Sequence, residues 1–147
     1  MVFDRPGYGF DPKRIDDQEL APEDDTRFVN ELAACDLVVA GPSTVVIDAA
    51  FFNKPIILVD FYPRPVKPDE RIYEYGAEHI LNILATGGCR RVQSREAFLQ
   101  AIQEYLVNPA TDRSGRERIV REQCGRTDGR ASERMVARLL EAIGNRQ

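Results

Sequence analysis

The chain has 147 residues, 43% of them hydrophobic and 30% charged, with a formal net charge of −4. Such a length supports one soluble globular domain with a real core. No apolar run approaches the roughly 20 residues that cross a bilayer, and the acidic balance argues against nucleic acid as the main partner. Three widely spaced cysteines, Cys35, Cys89 and Cys124, form neither a disulfide framework nor a metal pattern, so no metal site and no cofactor are expected. The start, MVFDRPGYGFDP, lacks the basic flank and apolar centre of a signal peptide, which makes a cytoplasmic, reducing location the expectation.

Residues 1–25 read as an irregular acidic segment. Val2-Phe3 can end a strand, Arg5-Pro6-Gly7-Tyr8-Gly9 is turn chemistry, and the acids Asp16, Asp17, Glu19, Glu23, Asp24 and Asp25 default to a solvated loop. A folded domain over 26–147 follows. Asp25 or Thr26 is the expected cap of a helix through about Ala34, with Phe28, Val29 and Leu32 on its buried side.

Leu37–Asp60 organises the domain. Its apolar run ends at Gly41-Pro42, Ser43-Thr44 open a second apolar segment, and Asn53-Lys54-Pro55 stop that one before Ile56-Ile57-Leu58-Val59. The pattern predicts strand, short helix, strand, and the all-aliphatic strands predict a parallel sheet covered on both faces. The turn Gly41–Thr44 then falls at the carboxyl edge, where open α/β sheets bind ligands. Ser43 is the expected N-cap, and its hydroxyl with the amides of Thr44 to Val46 suits a phosphate oxygen. Asp48, an acid in an otherwise apolar helix, is placed to accept from ribose hydroxyls. Plain capping by Ser43 and a solvent-facing Asp48 explain the same residues without a ligand.

Phe61–Pro68 carries three prolines and is expected to be an extended loop at that same edge, either a connector or a cleft wall. Glu70–Thr86 has helical spacing in two pieces broken near Gly76. His79, the one histidine, reads as a packing or capping residue or as a weak catalytic candidate. Gly87-Gly88 stop the helix and Cys89–Gln93 is a short strand candidate. Ser94 caps an amphipathic helix with Phe98, Ala101, Ile102, Tyr105 and Leu106 inward. From Arg113 onward there are nine arginines and no lysine, expected on solvated helix faces. One helix is predicted from about Asp112 to Gln123 and another from about Ala131, with Met135, Leu139, Leu140 and Ile143 as its stripe. The predicted sheet has about four strands.

GPSTVVIDAAFFNKPII, followed about 70 residues later by DGRASERMVARLL, resembles the carboxyl-terminal half of GT-B enzymes. The CDP-glycerol glycerophosphotransferases of teichoic acid synthesis are the nearest likeness, and the UDP-N-acetylglucosamine 2-epimerases a more distant one. The resemblance implies a Rossmann-like three-layer nucleotide-binding domain that lacks its first strand and faces an amino-terminal Rossmann half. It further implies a donor such as CDP-glycerol or a UDP- or CDP-sugar. Carried over by motif, Gly41, Ser43 and Thr44 hold the diphosphate and Asp48 the ribose, while Asp128, Gly129, Ser132 and Arg134 match the DG-x-AS-x-R signature. Membrane association through the full enzyme, at the inner face of the plasma membrane, and self-association are further expectations. A non-catalytic module docking on a partner protein is the alternative, and an epimerase half the third choice.

Overall fold

The computed structural model describes residues 21–68 and 71–144, together with the backbone of Tyr8–Gly9 and Gln18–Glu19. Those two short segments form an antiparallel pair, β1 (Tyr8–Gly9) and β2 (Gln18–Glu19), so Tyr8 and Gly9 extend rather than complete a turn. The strand end expected at Val2-Phe3 lies outside the described residues.

Helix α1 spans Pro22–Ala34 and begins earlier than the expected cap at Asp25 or Thr26. Proline at the first helical position is already set for the helix. Two residues on, the Asp24 carboxylate accepts from the Ala21 amide at 2.9 Å. Asp24 is therefore buried and ion-paired to Arg27 instead of lying in a solvated loop. Leu32 faces the core, whereas Phe28 and Val29, expected beside it, are 39% and 47% exposed. The Lys54 ammonium donates to the Ala33 carbonyl at 2.8 Å, a cation at the negative end of the helix.

Strands β3 (Val38–Ala40), β4 (Ile56–Val59) and β5 (Arg90–Val92) form a parallel sheet with β4 central. Val38 pairs with Ile56, and Leu58 with Arg91. Three strands, not four, make this sheet among the described residues. Successive β4 side chains point to opposite faces, which divides the core. Ile56 and Leu58 pack with Val46, Ala49 and Ala50 of α2 (Val45–Phe51), Ile80 and Ile83 of α3 (Glu78–Ala85) and Ile119 of α5 (Arg113–Gln123). Ile57 packs on the other face with Val92 and with Ala101 and Tyr105 of α4 (Arg95–Val107). Helices on both faces of a parallel sheet make this a three-layer, Rossmann-like α/β domain.

The remaining expectations divide. The break near Gly76 is real: a 3-10 turn, Tyr73–Gly76, precedes α3. Ser94 caps α4, its hydroxyl accepting from the Ala97 amide at 3.1 Å. Leu106, by contrast, is 57% exposed, because the core on that face ends at Tyr105. Helix α6 (Ala131–Gly144) has no buried residue, and its stripe of Met135, Leu139, Leu140 and Ile143 faces outward. Arg116 departs furthest from a solvated helix face. It is fully buried and donates to Asn53 Oδ1 at 2.9 Å and to the carbonyls of Thr111 at 2.6 Å and Pro109 at 2.7 Å.

Candidate functional site

The parallel strands send three segments off one edge of the sheet: Gly41–Thr44 after β3, Asp60–Pro68 after β4, and Gln93 after β5. At the first, the helix begins one residue later than expected. Thr44, not Ser43, is the N-cap of α2, and neither side chain makes a full capping bond. The Ser43 hydroxyl accepts from the Val45 amide at a long 3.4 Å, while the Ser43 carbonyl accepts from Val46 at 3.3 Å and that of Thr44 from Ile47 at 2.8 Å. The tight first turn consumes those inner amides. Among the described residues, the amides of Ser43 and Thr44 keep no internal acceptor, and both residues are exposed. Gly41 has open space where a Cβ would sit, so packing does not require a glycine there. Asp48 is exposed, and partial desolvation raises its carboxyl above the usual range.

The second segment is more heavily built. Asp60 Oδ2 accepts three hydrogen bonds: from Arg91 Nε at 2.9 Å, from a terminal Arg91 nitrogen at 2.7 Å and from Gln93 Nε2 at 2.9 Å. The Asp60 side chain is one-tenth exposed. Its Arg91 partner lies over the Tyr75 ring, 4.3 Å from the centroid, and the Tyr75 hydroxyl donates to the Val59 carbonyl at 2.7 Å. Burial, then the charge of Asp60, pushes Tyr75 up to about 12. Tyr62 closes the loop by accepting from the Ile72 amide at 2.7 Å. A cavity of about 290 Å³ results, lined by Asp60, Phe61, Tyr62, Arg64, Arg71 and Gln93 with Pro65 and Val66. The loop both borders this cavity and connects β4 to the segment before α3, so the two readings of it, connector and cleft wall, both stand.

The second motif sits apart. Arg134 makes a two-point contact with Asp128, at 2.7 and 2.8 Å, and Asp128 also accepts from the Arg130 amide at 3.1 Å. Hydrogen bonding to Arg134 lowers the Asp128 carboxyl. Gly129 takes φ +71°, the left-handed conformation that favours glycine. Arg126, Asp128, Arg130, Glu133, Arg134 and Ala137 line a cavity of about 340 Å³. Ser132 is exposed on the first turn of α6. No hydrogen bond among the described residues joins this set to Gly41, Ser43, Thr44 or Asp48. His79 is exposed on α3 and lines neither of these two cavities.

Asp60, Arg91 and Gln93 were missed by sequence reasoning. The available signal was an acid directly after an aliphatic strand at a carboxyl edge, but its partners, Arg91 of β5 and Gln93 just after it, lie some 30 residues on.

The parallel sheet and its two helix layers define a Rossmann-like α/β domain with a polar carboxyl edge. The sequence profile described as CDP-Glycerol:Poly(glycerophosphate) glycerophosphotransferase matches residues 15–141, and the chain belongs to that family. No curated protein and no solved structure matches it. Membership implies a role in transfer from a nucleotide-activated donor. No helix among the described residues is long and apolar enough to cross a membrane.

Proposed function

We propose that this chain binds the nucleotide diphosphate of a glycerophospho- or glycosyltransferase donor, CDP-glycerol or a nucleotide sugar. The family match over 15–141, which spans both motifs, carries this reading. The turn after β3 supports it chemically: Ser43 and Thr44 bring two amides and two hydroxyls to the positive end of α2, and Asp48 stands one turn in, within the same segment as a ribose reader. Charge on the departing diphosphate is stabilised by those donors and by arginine. A facing Rossmann half supplies the group that activates the acceptor hydroxyl. Polymer synthesis for the cell envelope, at the cytoplasmic face of the membrane, is the setting that fits.

Calorimetric titration of CDP and UDP tests the site. Ser43→Ala with Thr44→Ala is expected to weaken binding by roughly 1–3 kcal/mol, the scale of hydrogen bonds to a charged group, with circular dichroism unchanged. Equal affinities in the variant and the parent remove this turn from the site. The exposed stripe of α6 favours a second reading, a module that docks on a partner protein and binds no nucleotide; absence of CDP and UDP binding in the parent would select it.

A further inference from the structure

Asp128 is held by two kinds of donor. Its carboxylate accepts from the Arg130 amide at 3.1 Å, and one terminal nitrogen of Arg134 donates to both of its oxygens, at 2.7 and 2.8 Å. An amide at a helix start and an arginine are also the donors that hold a phosphate oxygen. Asp128 therefore fills, from within the chain, the place an anion would take. The cavity of about 340 Å³ around it is largely neutralised in the same way. Of its three arginines, Arg134 is taken by Asp128, and Arg130 by a Glu133 oxygen that lies 2.8 Å from two of its nitrogens. Arg126 has no hydrogen bond or ion pair among the described residues. Both pairs are exposed, Asp128 and Arg134 at 48% and 34%, so solvent screens them and they are weak. A diphosphate brings more charge to an arginine than one carboxylate does. The clasp is strong enough to occupy Arg134 and weak enough to yield.

We propose that Asp128 is an internal competitor, which closes on Arg134 in the free chain and is displaced when a diphosphate takes that guanidinium. The assignment rests on the nucleotide-diphosphate reading for its ligand, but gives Asp128 the opposite role from the binding contact that the DG-x-AS-x-R motif implies. Two like charges cannot share one guanidinium at contact distance without cost, so carboxylate and diphosphate exclude each other there. Opening needs only a rotation of the Asp128 side chain, and the backbone of α6 can stay where it is. Removing the charge of Asp128 then tightens binding, whereas removing a ligand contact would weaken it.

The probe is inorganic pyrophosphate, titrated calorimetrically into the full 147-residue chain. Asp128→Asn keeps an oxygen for the Arg130 amide and loses the charge; it should bind about threefold more tightly, the scale of an exposed ion pair. Asp128→Ser, which also keeps a capping oxygen, should show the same gain. Arg134→Gln should weaken binding about tenfold, and adding Asp128→Asn to it should bring no gain. Glu141→Gln removes one charge from α6 outside the cavity and should leave the affinity unchanged. With ¹³C-labelled aspartate, the Asp128 carboxyl signal of the parent should move, as pyrophosphate is added, toward its position in ligand-free Arg134→Gln. That shift reads the displacement directly. Ser43→Ala with Thr44→Ala should leave the gain from Asp128→Asn in place, so loss of the turn after β3 from the site and failure of the clasp remain distinguishable. Weaker or equal binding by Asp128→Asn overturns the proposal, as does a parent and variant that both fail to bind.

Discussion

Gly88 and Gly115 meet backbone against backbone. A Cβ on Gly88 would lie 2.5 Å from the Gly115 carbonyl carbon, and one on Gly115 would lie 2.3 Å from that of Gly87. Neither residue has positive φ, so close approach alone demands glycine at both. This contact seats α5 against the turn between α3 and β5. Gly115→Ala is expected to lower stability by about 1–3 kcal/mol, the range for overpacking a tight interior. Urea denaturation measures it, and an unchanged midpoint would mean that α5 sits farther off.

Arg116 should be as sensitive as a core leucine. Its guanidinium holds Asn53, Thr111 and Pro109 together, and Asn53 itself has φ +52°. Arg116→Met is expected to cost about 3 kcal/mol or more, since each buried acceptor left unsatisfied costs about 1–3 kcal/mol. Arg116→Lys should recover little, because an ammonium cannot span three divergent acceptors. Asn53→Ala should be worse than Asn53→Gly, which loses the same acceptor but tolerates the left-handed backbone. Melting temperatures in that order would support the clamp; wild-type stability for Arg116→Met would refute it.

Alkaline pH should weaken the fold through two buried acids, a thiol and a phenol. Burial, then the charge of Asp112, pushes the Cys89 thiol up to about 11, and Tyr75 lies at about 12. Both are acids whose folded values are raised. The unfolded chain therefore releases these protons first, and stability falls as pH rises from about 9 toward the folded values. The urea midpoint at pH 10.5 should lie below that at pH 8, and Cys89→Ala should flatten the decline. At pH 8 a thiol reagent should label exposed Cys124 at once and Cys89 only after unfolding.

Asp48→Asn tests ribose recognition. The carboxylate is exposed and has no side-chain hydrogen bond among the described residues, so stability should change little. Affinity for CDP should fall toward that for pyrophosphate. If the variant unfolds while its preference for CDP persists, the acid is structural.

The chain by itself should bind donor without consuming it. General-base catalysis needs a group within hydrogen-bond reach of the attacking hydroxyl, and His79 lies on α3 away from both described cavities. Donor-consumption assays on 1–147 should read background, and fusion to an amino-terminal Rossmann half should restore turnover. Robust turnover that disappears in His79→Ala would make His79 the base.

The sheet was legible because Val38–Ala40 and Ile56–Val59 are aliphatic runs bounded by Gly-Pro and Asn-Lys-Pro, signals local to a few residues. Ser94 was legible as a cap for the same reason. What escaped depended on distant partners. Nothing around Arg116 distinguishes it from its eight arginine neighbours; only the arrival of Asn53, 63 positions away, makes burial possible. Asp60 likewise acquires its hydrogen-bond partners from Arg91 of β5 and Gln93 just after it. The start of α2 lies one residue later than expected because the tight first turn, closed through the Ser43 and Thr44 carbonyls, and not a capping side chain sets it.

Helix α6 carries fourteen residues and buries none of them. An isolated helix of that length is marginal in water, so its melting should be uncoupled from that of the sheet. Its amides should exchange with deuterium orders of magnitude faster than those of Ile57 and Leu58. Mild proteolysis should clip the chain near Gly125–Gly129 and release a fragment that retains the core's cooperative transition.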